Sequence, residues 1–69
     1  MDLTPVTVTI PADELRETLI ALRDRHFALS QEQVKYATKP TILSIVERQR
    51  ARVEVAHNAL ARAVGEPTL

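Results

Sequence analysis

The chain has 69 residues, no cysteine, and nine basic against nine acidic side chains, so its formal net charge is zero. One domain of this length buries only about 60% of its unfolded surface on folding; with disulfides and thiolate metal sites excluded, oligomerisation is the economical source of added stability. A charge balance without basic surplus argues against a protein held mainly by nucleic-acid backbone, and no apolar run approaches the roughly 20 residues that span a bilayer.

In chain order, residues 1–10 come first. Val6-Thr7-Val8-Thr9-Ile10 alternates apolar and polar residues, is β-branched throughout, and is bracketed by Pro5 and Pro11. That pattern predicts a short strand. No second segment reads as a strand, so its backbone would pair with the same strand of another subunit. The alternative is an extended arm lying on helices. The opening Met1-Asp2-Leu3-Thr4-Pro5 lacks the basic region and apolar core of a signal peptide, so a cytoplasmic location is expected.

Residues 11–38 form the first predicted helical arm. Pro11 suits a helix start, and Asp13 and Glu14 set negative charge near the positive end of the helix dipole. Leu15, Leu19, Leu22, His26, Leu29, Gln33 and Tyr36 then recur at gaps of four and three. One signal argues for a break: Ser30-Gln31-Glu32-Gln33 matches a capping box, with Leu29 and Val34 as its hydrophobic staple. The helix therefore either runs through or restarts at Ser30.

Residues 39–64 form the second arm and 65–69 a tail. Pro40 opens a long helix, and Gly65 with Pro67 closes it. Ile42, Val46, Gln49, Val53, Ala56, Leu60 and Ala63 make a heptad seam along it. At 1.5 Å per residue this helix is about 37 Å long, against a radius of gyration of about 11 Å for a compact chain of this size. The two seams predict an antiparallel hairpin, with Leu19 facing Leu60, His26 facing Val53 and Leu29 facing Gln49. Ile20, Phe27 and Val34 on the first arm, and Ile45, Val55 and Ala59 on the second, remain outside that seam. A two-helix hairpin cannot bury a second stripe on each helix, so a third layer is expected from the N-terminal strand, another subunit, or both.

Candidate chemistry is sparse. His26 falls on the seam, and His57 follows Glu54 by three residues, as in a solvated helical pair. Ser30 and Ser44 are the only serines, neither in a glycine-flanked elbow, and one glycine does not make a phosphate loop. No set of acid, base and nucleophile emerges, so a non-enzymatic protein without cofactor or metal is expected. Two cationic features stand out. One is the arginine cluster Arg48, Arg50 and Arg52. The other is the turn, where Tyr36, Lys39 and Thr41 surround the N-terminus of the long helix. Free backbone N–H groups, a lysine charge, a threonine hydroxyl and a tyrosine ring suit a nucleotide phosphate and its base. Tyr36, Lys39, Thr41 and Arg48 are the candidate ligand-binding residues.

Two resemblances follow from short segments. Val6 to Leu22 resembles the opening of ribbon-helix-helix DNA-binding proteins, an alternating strand, a proline and a leucine-rich helix; the resemblance implies that Thr7 and Thr9 face DNA. It covers about a third of the chain, while the usual glycine before the second helix is missing and Pro40 interrupts that helix. Ala59-Leu60-Ala61-Arg62-Ala63-Val64 with Pro67, together with Leu29-Ser30-Gln31-Glu32, resembles the helical hairpin domain of bacteriophage sponge proteins that counter CBASS and Thoeris immunity. That resemblance, over roughly ten to fifteen residues, implies a small cytoplasmic oligomer that sequesters a nucleotide-type signal between subunits.

The sequence thus predicts a mainly α, homo-oligomeric antiparallel two-helix hairpin with a short N-terminal β-strand or extended arm. Its expected function is non-enzymatic binding, with three readings: a nucleotide sponge, a ribbon-helix-helix regulator, or a structural, partner-blocking helical protein. The expected partner is a second copy, bound through the N-terminal strand and the second apolar stripe. A small nucleotide comes next, nucleic acid ranks behind it, and no membrane is expected.

Overall fold

A computed structural model describes Thr7 and residues 9–69. Two helices account for most of it: α1, Ala12–Lys35, and α2, Pro40–Val64, joined by the turn at residues 36–39. They pack against each other as an antiparallel hairpin.

Local chemistry explains each boundary. The Leu15 N–H donates to the Pro11 carbonyl at 3.0 Å, closing the first turn of α1, and Asp13 and Glu14 lie in that turn. At the far end the Lys39 N–H donates to the Tyr36 carbonyl at 2.9 Å, making a tight reversal. Pro40 then occupies the first turn of α2, where its missing N–H costs nothing. Gly65 ends α2 at φ 74°, a left-handed conformation that favours glycine. Its N–H donates to Arg62 and that of Glu66 to Ala61, at 3.4 and 2.8 Å. This is the Schellman pairing that satisfies the last carbonyls of a helix.

Three expectations are corrected. The predicted strand is absent: Thr7, Thr9 and Ile10 belong to no strand, and no β-strand occurs among the described residues. Val6 and Val8, the other positions of that pattern, lie outside the described residues. The described part of that pattern therefore has no paired backbone to support it, and among the described residues the architecture is mainly α without a sheet. The alternative of a break near Ser30 is also overturned. α1 runs through, and the Ser30 hydroxyl donates to the His26 carbonyl at 3.0 Å. This is the back-bond a serine makes inside a helix, in competition with capping.

The third correction concerns the α2 seam. On α1 the predicted residues Leu15, Leu19, Leu22, His26, Leu29, Gln33 and Tyr36 are all buried or half-buried. On α2, Val46, Val53 and Leu60 face inward, but Ile42, Gln49, Ala56 and Ala63 are exposed. Leu43, Arg50, Glu54, His57 and Ala61 take their places. Both stripes share the sevenfold spacing of Val46, Val53 and Leu60, so periodicity alone does not separate them. Volume does: Leu43 and His57 fill space between the helices that Ala56 and Ala63 would leave empty. The cross-helix partners shift accordingly, Glu54 rather than Val53 lying beside His26, and Arg50 rather than Gln49 near the Leu29 level.

The resulting core is small. Leu19, Leu29, Val46 and Ala61 are buried, together with His57, which is 0% exposed. The radius of gyration is 14.4 Å and the shortest dimension 16 Å, little more than the 10–12 Å diameter of one helix.

Candidate functional site

The turn assembles part of the predicted binding set. Tyr36 is half-buried at the end of α1, and the Lys35 ammonium sits 5.3 Å from its ring centroid, a cation–π contact on a ring face. Lys39 and Thr41 are exposed at the start of α2. No side chain caps that helix, and its first turn holds no acidic residue. The start of α2 thus presents uncapped backbone donors next to lysine, an arrangement favourable to an anion. Arg48 does not join it. Seven residues beyond Thr41, it is exposed on the same helical face but about 10 Å farther along the axis. Thr7 and Thr9 are exposed and carry no strand, so the element through which a ribbon-helix-helix protein would present them is missing among the described residues.

A second polar cluster, between the helices, was only partly legible. The Arg50 Nε–H donates to the Ser30 hydroxyl at 3.1 Å, while the Ser30 hydroxyl donates to the His26 carbonyl. One helix turn away, His26 Nε2 lies 3.7 Å from Glu54 Oε1, beyond hydrogen-bond reach. Serine, histidine and carboxylate are thus neighbours, yet they do not form a catalytic relay. The Ser30 proton is committed to a main-chain carbonyl and its oxygen to Arg50, and neither bond involves the imidazole. An activated serine needs its hydroxyl aimed at the ring nitrogen.

His57 departs further from expectation. Rather than a solvated partner of Glu54, it is fully buried, with Nδ1 3.2 Å from Asn58 Oδ1. That oxygen also accepts the Leu69 N–H at 2.7 Å, tying the C-terminal tail back onto α2. Because Oδ1 only accepts, this contact is a hydrogen bond only with a proton on Nδ1, and Nε2 is buried without a partner. The sequence signal available was the sevenfold spacing of Leu43, Arg50 and His57, obscured by their mixed polarity. Among the described residues, no three His, Asp or Glu side chains converge to hold a metal ion.

Two open clefts of about 400 Å³ lie at the other end of the hairpin. Leu15, Leu19, Ile20 and Val64 line the first, with Arg16, Arg23 and Glu66 around them. Ile10, Leu15, Leu60, Ala63 and Val64 line the second with Thr9. Neither includes Tyr36, Lys39, Thr41 or Arg48.

No family model, curated protein or solved structure matches this chain. The functional reading therefore rests on the chain's own surface. No helix among the described residues is long and apolar enough to cross a membrane. On that surface Ile20, Phe27, Val34, Ile42, Ile45 and Val55 are all large, helical and exposed.

Proposed function

We propose that the chain is a non-enzymatic binding protein that works through its exposed helical faces. One observation carries this reading. Among the described residues, nine large hydrophobic side chains are exposed, against four apolar residues in the core. Contiguous apolar surface on a small protein marks an interaction site, and a core this small is marginal without a partner. The polar cluster supports the same reading, since its hydroxyl and guanidinium are used to join the two helices.

Native mass spectrometry of the purified protein tests it. The expected result is a species heavier than the 7.7 kDa chain, carrying a second copy or another bound molecule. A folded chain of 7.7 kDa with nothing attached, from nanomolar to hundreds of micromolar, would refute the reading.

A second reading has its own observation. The uncapped, acid-free start of α2 beside Lys39, with Lys35 over the Tyr36 ring, suits a nucleotide-type anion, the ligand class of the sponge proteins that the C-terminal segment resembles. Cyclic dinucleotides, cyclic trinucleotides and ADP-ribose isomers are the probes. A bound ligand at 100 times its Kd raises stability by about 2.7 kcal/mol, and Lys39→Ala should abolish that rise. No shift with any of them sinks this reading and leaves the first intact.

A further inference from the structure

Ile20, Phe27 and Val34 form an exposed strip on α1, at 48%, 64% and 79% of their full exposure. Their spacing of seven residues keeps them on one helical face, over about 21 Å of axis. Phe27 is the only phenylalanine in the chain. We infer that this strip docks on the same strip of a second copy, in antiparallel orientation, to make a four-helix bundle. The inference rests on the binding reading above and names the partner.

Three observations select a second copy as the occupant. The first is area. The chain exposes 5621 Å², whereas a compact protein of its mass exposes about 4,300 Å², leaving an excess of about 1,300 Å². A standard interface removes about 800 Å² from each partner, so one self-interface fits within that excess.

The second is self-complementarity. Ile20 and Val34 stand equally far from Phe27, so an antiparallel pair with Phe27 on the two-fold axis sets each Ile20 against the partner's Val34. A two-fold interface requires such a strip, in which one patch serves both sides. Sevenfold spacing also suits the shallow crossing angle of helix bundles.

The third is charge. Glu17 and Lys35 share the outer flank of the strip by helical spacing, both exposed and near its opposite ends. Antiparallel pairing brings Glu17 of one copy to the level of the other's Lys35, twice. A parallel pairing would put the two outer flanks on opposite sides of the interface and leave both charges without this match. On the flank toward α2, Arg23 and the Ser30–Arg50 bond border the strip with polar groups, as the rim of an interface does. The exposed face of α2 is a weaker competitor. Ile42 and Ile45, at 39% and 50% exposure, are followed along that face by Gln49, Arg52 and alanines rather than by further large apolar side chains.

Cysteine cross-linking tests the inference, since the chain has no cysteine of its own. Phe27→Cys should cross-link to itself under mild oxidation. Ile20→Cys should not, but should cross-link when mixed with Val34→Cys. Val55→Cys, on the far side of α2, should remain monomeric. Self-linking of Ile20→Cys would indicate a parallel pair, and linking through Val55→Cys a different face; either overturns the inference. Sedimentation equilibrium of the unaltered protein covers the case in which a variant misfolds. Phe27→Asp should weaken self-association at least about a hundredfold while helicity is kept. A folded wild-type monomer overturns the second copy alone, and a monomer that retains another bound molecule keeps the broader binding reading.

Discussion

His57→Ala and Ala56→Glu together decide which stripe of α2 faces α1. In the structure His57 is 0% exposed, while Ala56 is exposed. Truncating His57 removes a ring from a packed interface and leaves a cavity, at a cost of about 2–4 kcal/mol. A 69-residue domain has about 3–10 kcal/mol in total, and each kcal/mol moves Tm by about 4–8 °C at this size. The expected drop is therefore about 8–32 °C. His57→Leu separates packing from polarity. It keeps most of the volume and removes the buried Nε2 that has no partner, an omission worth about 1–3 kcal/mol. This variant should equal or exceed the wild type. Ala56→Glu should stay within about 0.5 kcal/mol, as surface changes do. Urea and thermal unfolding followed by circular dichroism, at one protein concentration, measure all three. If Ala56→Glu unfolds the chain while His57→Ala is silent, α2 presents its alanine stripe inward and the packing described above is wrong.

Other outcomes follow from single contacts. Gly65→Ala should cost about 1–2 kcal/mol in the same urea assay, because the left-handed φ penalises any Cβ although no neighbouring atom crowds it. Ser30→Ala and Arg50→Ala should couple by about 1 kcal/mol in a double-mutant cycle, and neither should reduce helicity as the loss of a helix cap would. Leu29→Ala, at a site with 0% exposure, should cost about 2–5 kcal/mol in chemical denaturation, whereas Val34→Ala, 79% exposed, should change the stability of the isolated hairpin by less than about 1 kcal/mol.

The hairpin was legible because its signals are local and mutually consistent. Proline and glycine mark the ends of α2, and one uninterrupted leucine seam marks α1. The face of α2 was not legible, because two stripes share Val46, Val53 and Leu60, and the choice depends on what fills the gap between helices. Polarity misled in the same place: Arg50, Glu54 and His57 look like surface residues in the sequence, yet Arg50 bonds Ser30, Glu54 lies beside His26, and His57 is fully buried. The strand failed for a related reason. Alternation marks a strand only where a second strand accepts its hydrogen bonds, and nothing in the described chain does. Of the candidate ligand-binding residues, Tyr36, Lys39 and Thr41 lie at one turn, since sequence neighbours stay neighbours. Arg48 lies apart from them, since helical rise carries it two turns away.

Sedimentation equilibrium of the wild-type protein over micromolar to hundreds of micromolar concentration bears most directly on the claim that this chain works by association. Two chains of 7.7 kDa predict a particle near 15 kDa that forms with rising concentration and is lost in Phe27→Asp. A single folded species at 7.7 kDa throughout that range, with nothing else bound, would contradict it.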